Sequence, residues 1–221
     1  MTVLAMISMK GHSSRVPRKN LRELAGRPLY HWILDALIGA EQIDQVIVET
    51  DDDEIEKSVK ASFDITIHRR PPELVGDEVP MNELIAFNME QAPADIYVHT
   101  HSTNPLLTSK TIDEAVESFK ENQARHDSLF GVTAWHTRLF WPDGTAANHD
   151  PNELIQTQDL PPVYEENSNI YVFTAESFAK RHHRIGKTPF MFPIDRWEAV
   201  DIDDEIDFAF ADFLMRRRLA T

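Results

Sequence analysis

The feature that most constrains the fold is a short apolar run, Val3–Met9, that gives way at once to a polar, basic stretch, Lys10 to Asn20, reading KGHSSRVPRKN. A buried strand of this kind feeds a loop, and the loop leads to a helix-like segment opening near Pro28. In open α/β sheets ligands bind outside the carboxyl ends of the strands, so this loop is the natural ligand site. It carries four cations, Lys10, Arg15, Arg18 and Lys19, with Gly11, Ser13 and Ser14 between them. Backbone N–H groups and charge-assisted bonds in such a loop can hold a polyphosphate. A solvated basic turn is the plainer alternative. The position after the first buried strand favours the phosphate.

Charge sharpens the point. The chain of 221 residues has 22 Lys plus Arg against 37 Asp plus Glu, a net charge of −15. Nucleic acid would be repelled overall, so a small anionic ligand assisted by a metal ion is the expected partner of the basic loop. There is no cysteine, which excludes thiol nucleophiles, disulfides and thiolate metal sites and fits a reducing compartment. No apolar run approaches the roughly 20 residues of a membrane span. No basic region precedes the first apolar run, so no signal peptide is expected, and the cytoplasm is the expected location.

Apolar runs alternate with amphipathic stretches along the chain, the signature of βαβ units and a mainly parallel sheet in one α/β domain. Strands are expected at Val3–Met9, Gln45–Thr50, 64–68, 95–99, 127–135, 169–173 and 198–202, with 188–194 extended. Helices are expected from Pro28 to Gly39, from Asp51 to about Phe63, after Pro80, over 111–122 and 176–183, and after Asp203. In the last helix Ile206, Ala209, Phe210 and Phe213 read as the inward face, with Asp203 as its cap. From Thr137 to about Asn167 the periodicity fails while aromatic residues persist, which suggests a packed excursion on a second subunit.

A second constellation is Val200-Asp-Ile-Asp203. On a strand Asp201 and Asp203 would share a face. Two carboxylates so placed can hold Mg²⁺ together with phosphate oxygens and water. The alternative is that Asp203 only caps the helix and Asp201 is solvated. His99 and His101 also share a strand face. A metal pair is conceivable there, but a hydrogen bond from His101 to a substrate, with His99 packed beneath, is the preferred reading.

Several motifs in order resemble the cytidylyltransferases that activate acidic 2-keto sugars, the CMP-sialic acid (acylneuraminate) and CMP-Kdo synthetases. Ser13-Ser-Arg-Val-Pro-Arg-Lys19 is similar to the Kdo-type loop S-T-R-L-P-x-K. Ser13, Pro17, Lys19 and Asn20 also match the sialic-type R-x-x-S-K-G-x-P-x-K-N, with Lys10 at the Arg place and Ser14 and Arg15 where Lys and Gly are usual. Leu24-Ala-Gly-Arg-Pro-Leu29 resembles L-x-G-x-P-L. Glu49-Thr-Asp51 to Ile55 resembles S-T-D-x-x-x-I, and Arg70 to Asp77 resembles R-P-x-E-L-A-x-D. Thr103-Asn-Pro-Leu106 resembles T-S-P-L. Asn167 to Val172 resembles N-G-A-I-Y-I, and Val200 to Asp203 resembles I-D-I-D. His101 and Ser102 replace the Gln and Pro that precede T-S-P-L, and Asn169 replaces a small residue, so the acceptor acid is expected to differ from sialic acid.

The resemblance implies a Rossmann-like, GT-A-like nucleotidyltransferase fold: one domain over 1–221, a three-layer α/β/α sandwich with a mainly parallel sheet and a dimerisation excursion at 135–167. It implies CMP transfer from CTP to an acidic acceptor, release of pyrophosphate, Mg²⁺ as cofactor and a homodimer. Lys10, Arg15, Lys19 and Asp203 would be catalytic. Met9, Lys10, Gly11, Ser13, Ser14, Arg15, Lys19 and Asp77 would bind nucleotide. Arg70, His101, Asn104, Asn167 and Asn169 would meet the acceptor, and Asp201 and Asp203 the metal. Two rivals stand beside this: a same-fold enzyme using another nucleotide or an acceptor such as a small phosphonate, and a non-catalytic nucleotide-binding subunit.

Overall fold

The structure, a computed structural model, describes residues 1–220. In chain order the elements are β1 Val3–Met9, β2 Glu23–Leu24, β3 Arg27–Pro28, α1 Leu29–Ile38, β4 Gln45–Thr50, α2 Asp53–Ser62, β5 Thr66–Arg69, α3 Met81–Gln91 and β6 Ile96–Thr100. There follow α4 Ser109–Asn122, β7 Ser128–Trp135, β8 Val163–Phe173, α5 Ala175–Arg181, β9 Pro189–Pro193 and α6 Glu205–Leu219. Seven strands form one sheet in the order β5-β4-β1-β6-β8-β7-β9, and β2 with β3 forms a separate small hairpin. Only β8 opposes its neighbours, pairing antiparallel with β6 and β7.

Strand β1 is apolar on both faces because both faces are covered. Val3, Ala5, Ile7 and Met9 point into the layer of α1, α2 and α4, where Tyr30, Ile33, Leu37, Ile55, Val59, Ile112, Val116 and Phe119 are buried. Leu4 and Met6 point the other way, towards Ile85 of α3, Phe178 of α5, Tyr97 and Tyr171. A third cluster, with Val16, Leu24, Leu29, Leu106 and Ile202, seats α6 through Phe208, Ala211, Leu214 and Met215. The chain therefore makes the expected three layers. β1 has β4 on one side and β6 on the other, so the loops after β1 and β6 flank the point where the strand order reverses.

Four local expectations change. Residues 198–202 are not a strand: a turn closes with the N–H groups of Glu198 and Ala199 donating to the Asp195 carbonyl, and Ile202 makes a lone backbone bond to the Thr103 carbonyl, 3.0 Å. The cap of α6 is Asp204, not Asp203. Its carboxylate accepts from the N–H groups of Ile206 and Asp207, and Asp207 answers with a capping box. Packing against Leu24 and Ile202 buries Phe208, Ala211, Leu214 and Met215, so Ile206, Ala209, Phe210 and Phe213 lie outward, with Ile206, Phe210 and Phe213 78%, 52% and 59% exposed. Finally, Val163 to Asn167 already belong to β8, since Trp135 pairs with Val163 and Val132 with Glu166. The irregular part of the excursion is thus 136–162, with one isolated bridge between Phe140 and Ala146. Among the described residues no helix is long and apolar enough to cross a membrane.

One glycine in the sheet is fixed by a close approach. A Cβ at Gly131 would lie 2.7 Å from both Asn167 Oδ1 and Ile194 Cδ1.

The reassigned cap is testable by urea unfolding. Asp204→Ala should cost about 1 kcal/mol, the usual value of an N-cap, and Asp203→Asn less than about half of that. Equal losses would return the cap to Asp203.

Candidate active site

The loop after β1 is held open from below. The Asn20 side chain donates to the Lys10 carbonyl, 2.9 Å, and accepts from the Ser102 hydroxyl, 2.6 Å, so the loops after β1 and β6 are tied together. Gly11 donates its N–H to Asp51, 2.8 Å, and a Cβ there would sit 2.2 Å from an Asp52 carboxylate oxygen. Only glycine lets this loop lie against the head of α2.

Above this base is a cavity of about 240 Å³. Its walls include Ser8, Lys10, Ser13, Ser14, Arg15, Lys19, Arg70, Asp77, His101 and Thr103. The structure therefore brings together most of the residues singled out in the sequence. Lys10 Nζ meets Asp77 at 2.6 Å, and this hydrogen bond, with the ammonium charge, holds the Asp77 carboxyl below its ordinary value. Both partners are well exposed, so the pair contributes little to stability and can exchange for phosphate.

The basic loop and the acidic pair meet directly. Arg15 Nη2 contacts Asp203 Oδ1 at 2.7 Å, and Lys19 Nζ donates to the Ile202 carbonyl at 2.6 Å. Ile202 is fully buried and anchors the segment, so Asp201 and Asp203 flank the Lys19 ammonium. Burial lowers the Lys19 pKa, opposed by the charges of Asp201 and Asp203. Burial raises the carboxyl of Asp201 above the usual range; a hydrogen bond from Thr103 opposes this, and the charge of Asp203 adds to it.

Asp201 Oδ1 is buried with no hydrogen-bond partner. Such an oxygen beside a second carboxylate suits a divalent cation. Among the described residues no three His, Cys, Asp or Glu side chains gather as a metal cluster. Two carboxylates with phosphate oxygens and water match the habits of Mg²⁺. Asp201 also lines a second, larger cavity of about 500 Å³, walled by Trp135, Trp197 and Phe210.

Other expected residues sit differently. Arg70 is buried and committed to Glu49 by two bonds of 2.5 and 3.2 Å, with Asp51 at 3.3 Å. Its charge is neutralised inside the protein, so it braces the ends of β4 and β5 rather than offering a free cation to an acceptor. Met9 is buried in the core, and its carbonyl faces Arg70 at 3.5 Å. Gly11 lines a separate small cleft with Arg18 and Asp52. Asn104 is fully buried and donates to the Val200 carbonyl, 3.4 Å, which braces the acidic segment. Asn167 donates to Thr133, and Asn169 to the Asn167 carbonyl, both within the sheet. None of these three lines the basic cavity.

One residue escaped the sequence. Arg184, in the turn after α5, stacks on the Tyr171 ring at 3.6 Å and contacts His99 Nδ1 at 3.1 Å and His101 Nε2 at 3.0 Å. Its only signal in the sequence was a cation in a histidine-rich turn. Burial first, then the charges of Arg184 and Lys19, lowers the His101 pKa to about 3, and His99 is held well below its usual value.

A histidine with a depressed native pKa binds more protons when unfolded, so it contributes stability above about pH 6.5 that is lost as the pH falls towards the native value. Relative to wild type, His101→Gln should therefore gain about 1–2 kcal/mol between pH 7.5 and pH 5 in paired unfolding curves. A difference that stays constant over this range would contradict the buried neutral histidine.

Comparison with known proteins identifies the family. Residues 4–210 match the cytidylyltransferase family. An N-acylneuraminate cytidylyltransferase of Oncorhynchus mykiss is 31% identical over 95% of this chain and 49% of its own length. A pseudaminic acid cytidylyltransferase of Campylobacter jejuni is 25% identical over 96% of both chains. The chain thus spans about half the length of the fish relatives and nearly all of the Campylobacter one. Among solved structures, a CMP:2-keto-3-deoxy-manno-octonic acid synthetase complexed with CTP superposes with a TM-score of 0.72 at 15% identity, covering 99% of this chain and 100% of that one. On the match across residues 4–210, this chain belongs to the cytidylyltransferase family.

Proposed function

We propose that the chain transfers CMP from CTP to a hydroxyl of an acidic 2-keto sugar, of the nonulosonate or Kdo class, releasing pyrophosphate. The observation that carries this reading is the junction of the basic loop with the acidic segment, Arg15 on Asp203 and Lys19 on the Ile202 carbonyl. Nucleotidyl transfer asks for charge neutralisation and an aligned nucleophile more than for covalent catalysis.

Lys10, Arg15 and Lys19 would take the triphosphate, leaving Asp77 and Asp203 for phosphate oxygens. Charge builds on the leaving pyrophosphate as its bond to the α-phosphorus breaks, and these cations offset it. Ser13 and Ser14 add hydroxyl donors on the same wall. Asp201 and Asp203 would hold Mg²⁺, which supplies charge neutralisation at the phosphates. His101, beside Ser102 and Thr103, would face the acceptor.

The relatives' names support a sugar-acid acceptor. His101 with its arginine partner favours an acceptor other than sialic acid itself, and a small phosphonate or a different nucleotide is the second reading. The reading includes a homodimer. The outward Phe210 and Phe213 of α6, and Phe140 and Trp141 on the excursion, are 52–61% exposed, an apolar surface that a second copy would cover.

A panel of four nucleoside triphosphates against several keto-sugar acids and a phosphonate, scored for pyrophosphate release with Mg²⁺ and with chelator, tests the assignment. Release with CTP and one keto-sugar acid is expected, and chelator should abolish it. Lys10→Ala should lower turnover about 10²-fold or more with unchanged melting. CTP binding without release across the panel would instead indicate a non-catalytic subunit. Light scattering on the same preparation should read two chains, and a monomer would remove the dimer.

A further inference from the structure

The histidine pair and its arginine lie at one end of the basic cavity, but only His101 reaches the cavity wall. Arg184 reaches it through His101. Arginine has five N–H donors and no acceptor, so each ring nitrogen it contacts must be the unprotonated one. His101 therefore accepts at Nε2 and keeps its hydrogen on Nδ1. His99 accepts at Nδ1 and keeps its hydrogen on Nε2, a buried atom with no partner.

The arrangement resists change. The two imidazoles meet edge to face, 4.6 Å apart at 87°, and His101 also lies edge-on to Tyr171. Tyr171 carries the guanidinium on its face and donates its hydroxyl to Glu166 at 2.5 Å. Burial lowers the Arg184 pKa, opposed by the charges of Tyr171 and Glu166, and its positive charge stands against protonation of either ring. Lys19 adds to this from the cavity side. The groups facing His101 are thus Arg184, His99, Tyr171 and Lys19, with Glu166 behind Tyr171.

We propose that Arg184 is a positioning residue for acceptor recognition: it locks His101 as a neutral imidazole protonated on Nδ1, so that the cavity wall presents one fixed hydrogen-bond donor to an oxygen of the acceptor. This rests on the reading of the cavity as a cytidylyl-transfer site. An unlocked imidazole would present a donor or an acceptor by turns. The locked one selects a carbonyl or carboxylate oxygen and, with two cations nearby, disfavours an ammonium. A glutamine at position 101 would need no such lock, because its amide carries its own donor.

The test combines spectroscopy and kinetics on the full chain. With ¹⁵N-histidine labelling, and His101→Gln to assign its signals, wild-type His101 should show the Nδ1-protonated neutral tautomer at pH 7.5 and at pH 5.5. Arg184→Met should shift it to a mixture or to the Nε2-protonated form. With the acceptor found in the panel, Arg184→Met should raise the acceptor KM about tenfold, the worth of one hydrogen bond, and leave the CTP KM within about twofold. In a His101→Gln background the same substitution should change the acceptor KM less than about twofold. Arg184→Lys, which keeps a charge and a donor, should fall between wild type and Arg184→Met, and it serves if the methionine variant does not fold. A wild-type His101 protonated on Nε2 or titrating near 6.5 would overturn the lock. So would an equal effect of Arg184→Met in both backgrounds. Should no acceptor turn over, the tautomer measurement alone decides the lock, and the transfer reading fails separately.

Discussion

The half-buried ammonium of Lys19 joins the two ends of this chain. Lys19 Nζ donates to the carbonyl of Ile202, 183 residues away, between two carboxylates. Ile202 is buried against Val16, Leu24 and the inner face of α6, so the contact ties the loop after β1 to the seat of the last helix. Burial is costly for a cation and lowers the Lys19 pKa, and the charges of Asp201 and Asp203 oppose that shift. The Asn104 bond to the Val200 carbonyl and that of the Ile202 N–H to the Thr103 carbonyl hold the same segment from the β6 side. The ion pairs of the cleft, Arg15 with Asp203 and Lys10 with Asp77, are exposed and exchange easily.

Two arginines, Arg70 at the cavity and Arg184 behind His101, illustrate opposite uses of a buried charge. Arg70 is neutralised by Glu49, and removing one partner of such a pair typically costs about 3–5 kcal/mol because the other is stranded. It gives the ends of β4 and β5 rigidity and nothing for a ligand to take. Among the described residues Arg184 makes no ion pair; it lies on a ring face against two imidazoles, with the Glu166 charge acting on it from beyond Tyr171. Its positive charge therefore shapes the chemistry of its neighbours instead of being cancelled by them.

The sequence made most of the layered sheet legible because β1, β4 and β6 are apolar runs bounded by turns, and α1, α2 and α4 carry one clean apolar stripe each. It misled where two patterns were superposed. In α6 the stripe Phe208, Ala211, Leu214 and Met215 competes with Ile206, Phe210 and Phe213, and only packing against Leu24 and Ile202 chooses between them. In Asp201-Ile-Asp-Asp204 three carboxylates compete for one cap, and the capping box with Asp207 awards it to Asp204. That the basic loop, Asp77 and His101 line one cavity was legible because residue type and position after a strand coincide. The pairing of Arg70 with Glu49 was not legible, since a sequence cannot show that the two side chains meet. Arg184 was missed because its partners lie on β6 and β8, 85 and 13 residues away by number, with only a turn to bring them together.

The most direct measurement of the shared cleft uses a paramagnetic ion. Mn²⁺ added with CTP to the ¹⁵N-labelled chain should broaden the amide signals of the 10–19 loop and of 201–203 together, and the double variant Asp201→Asn/Asp203→Asn should lose both effects. Broadening of the basic loop with 201–203 untouched, or broadening that survives the double variant, would contradict the account.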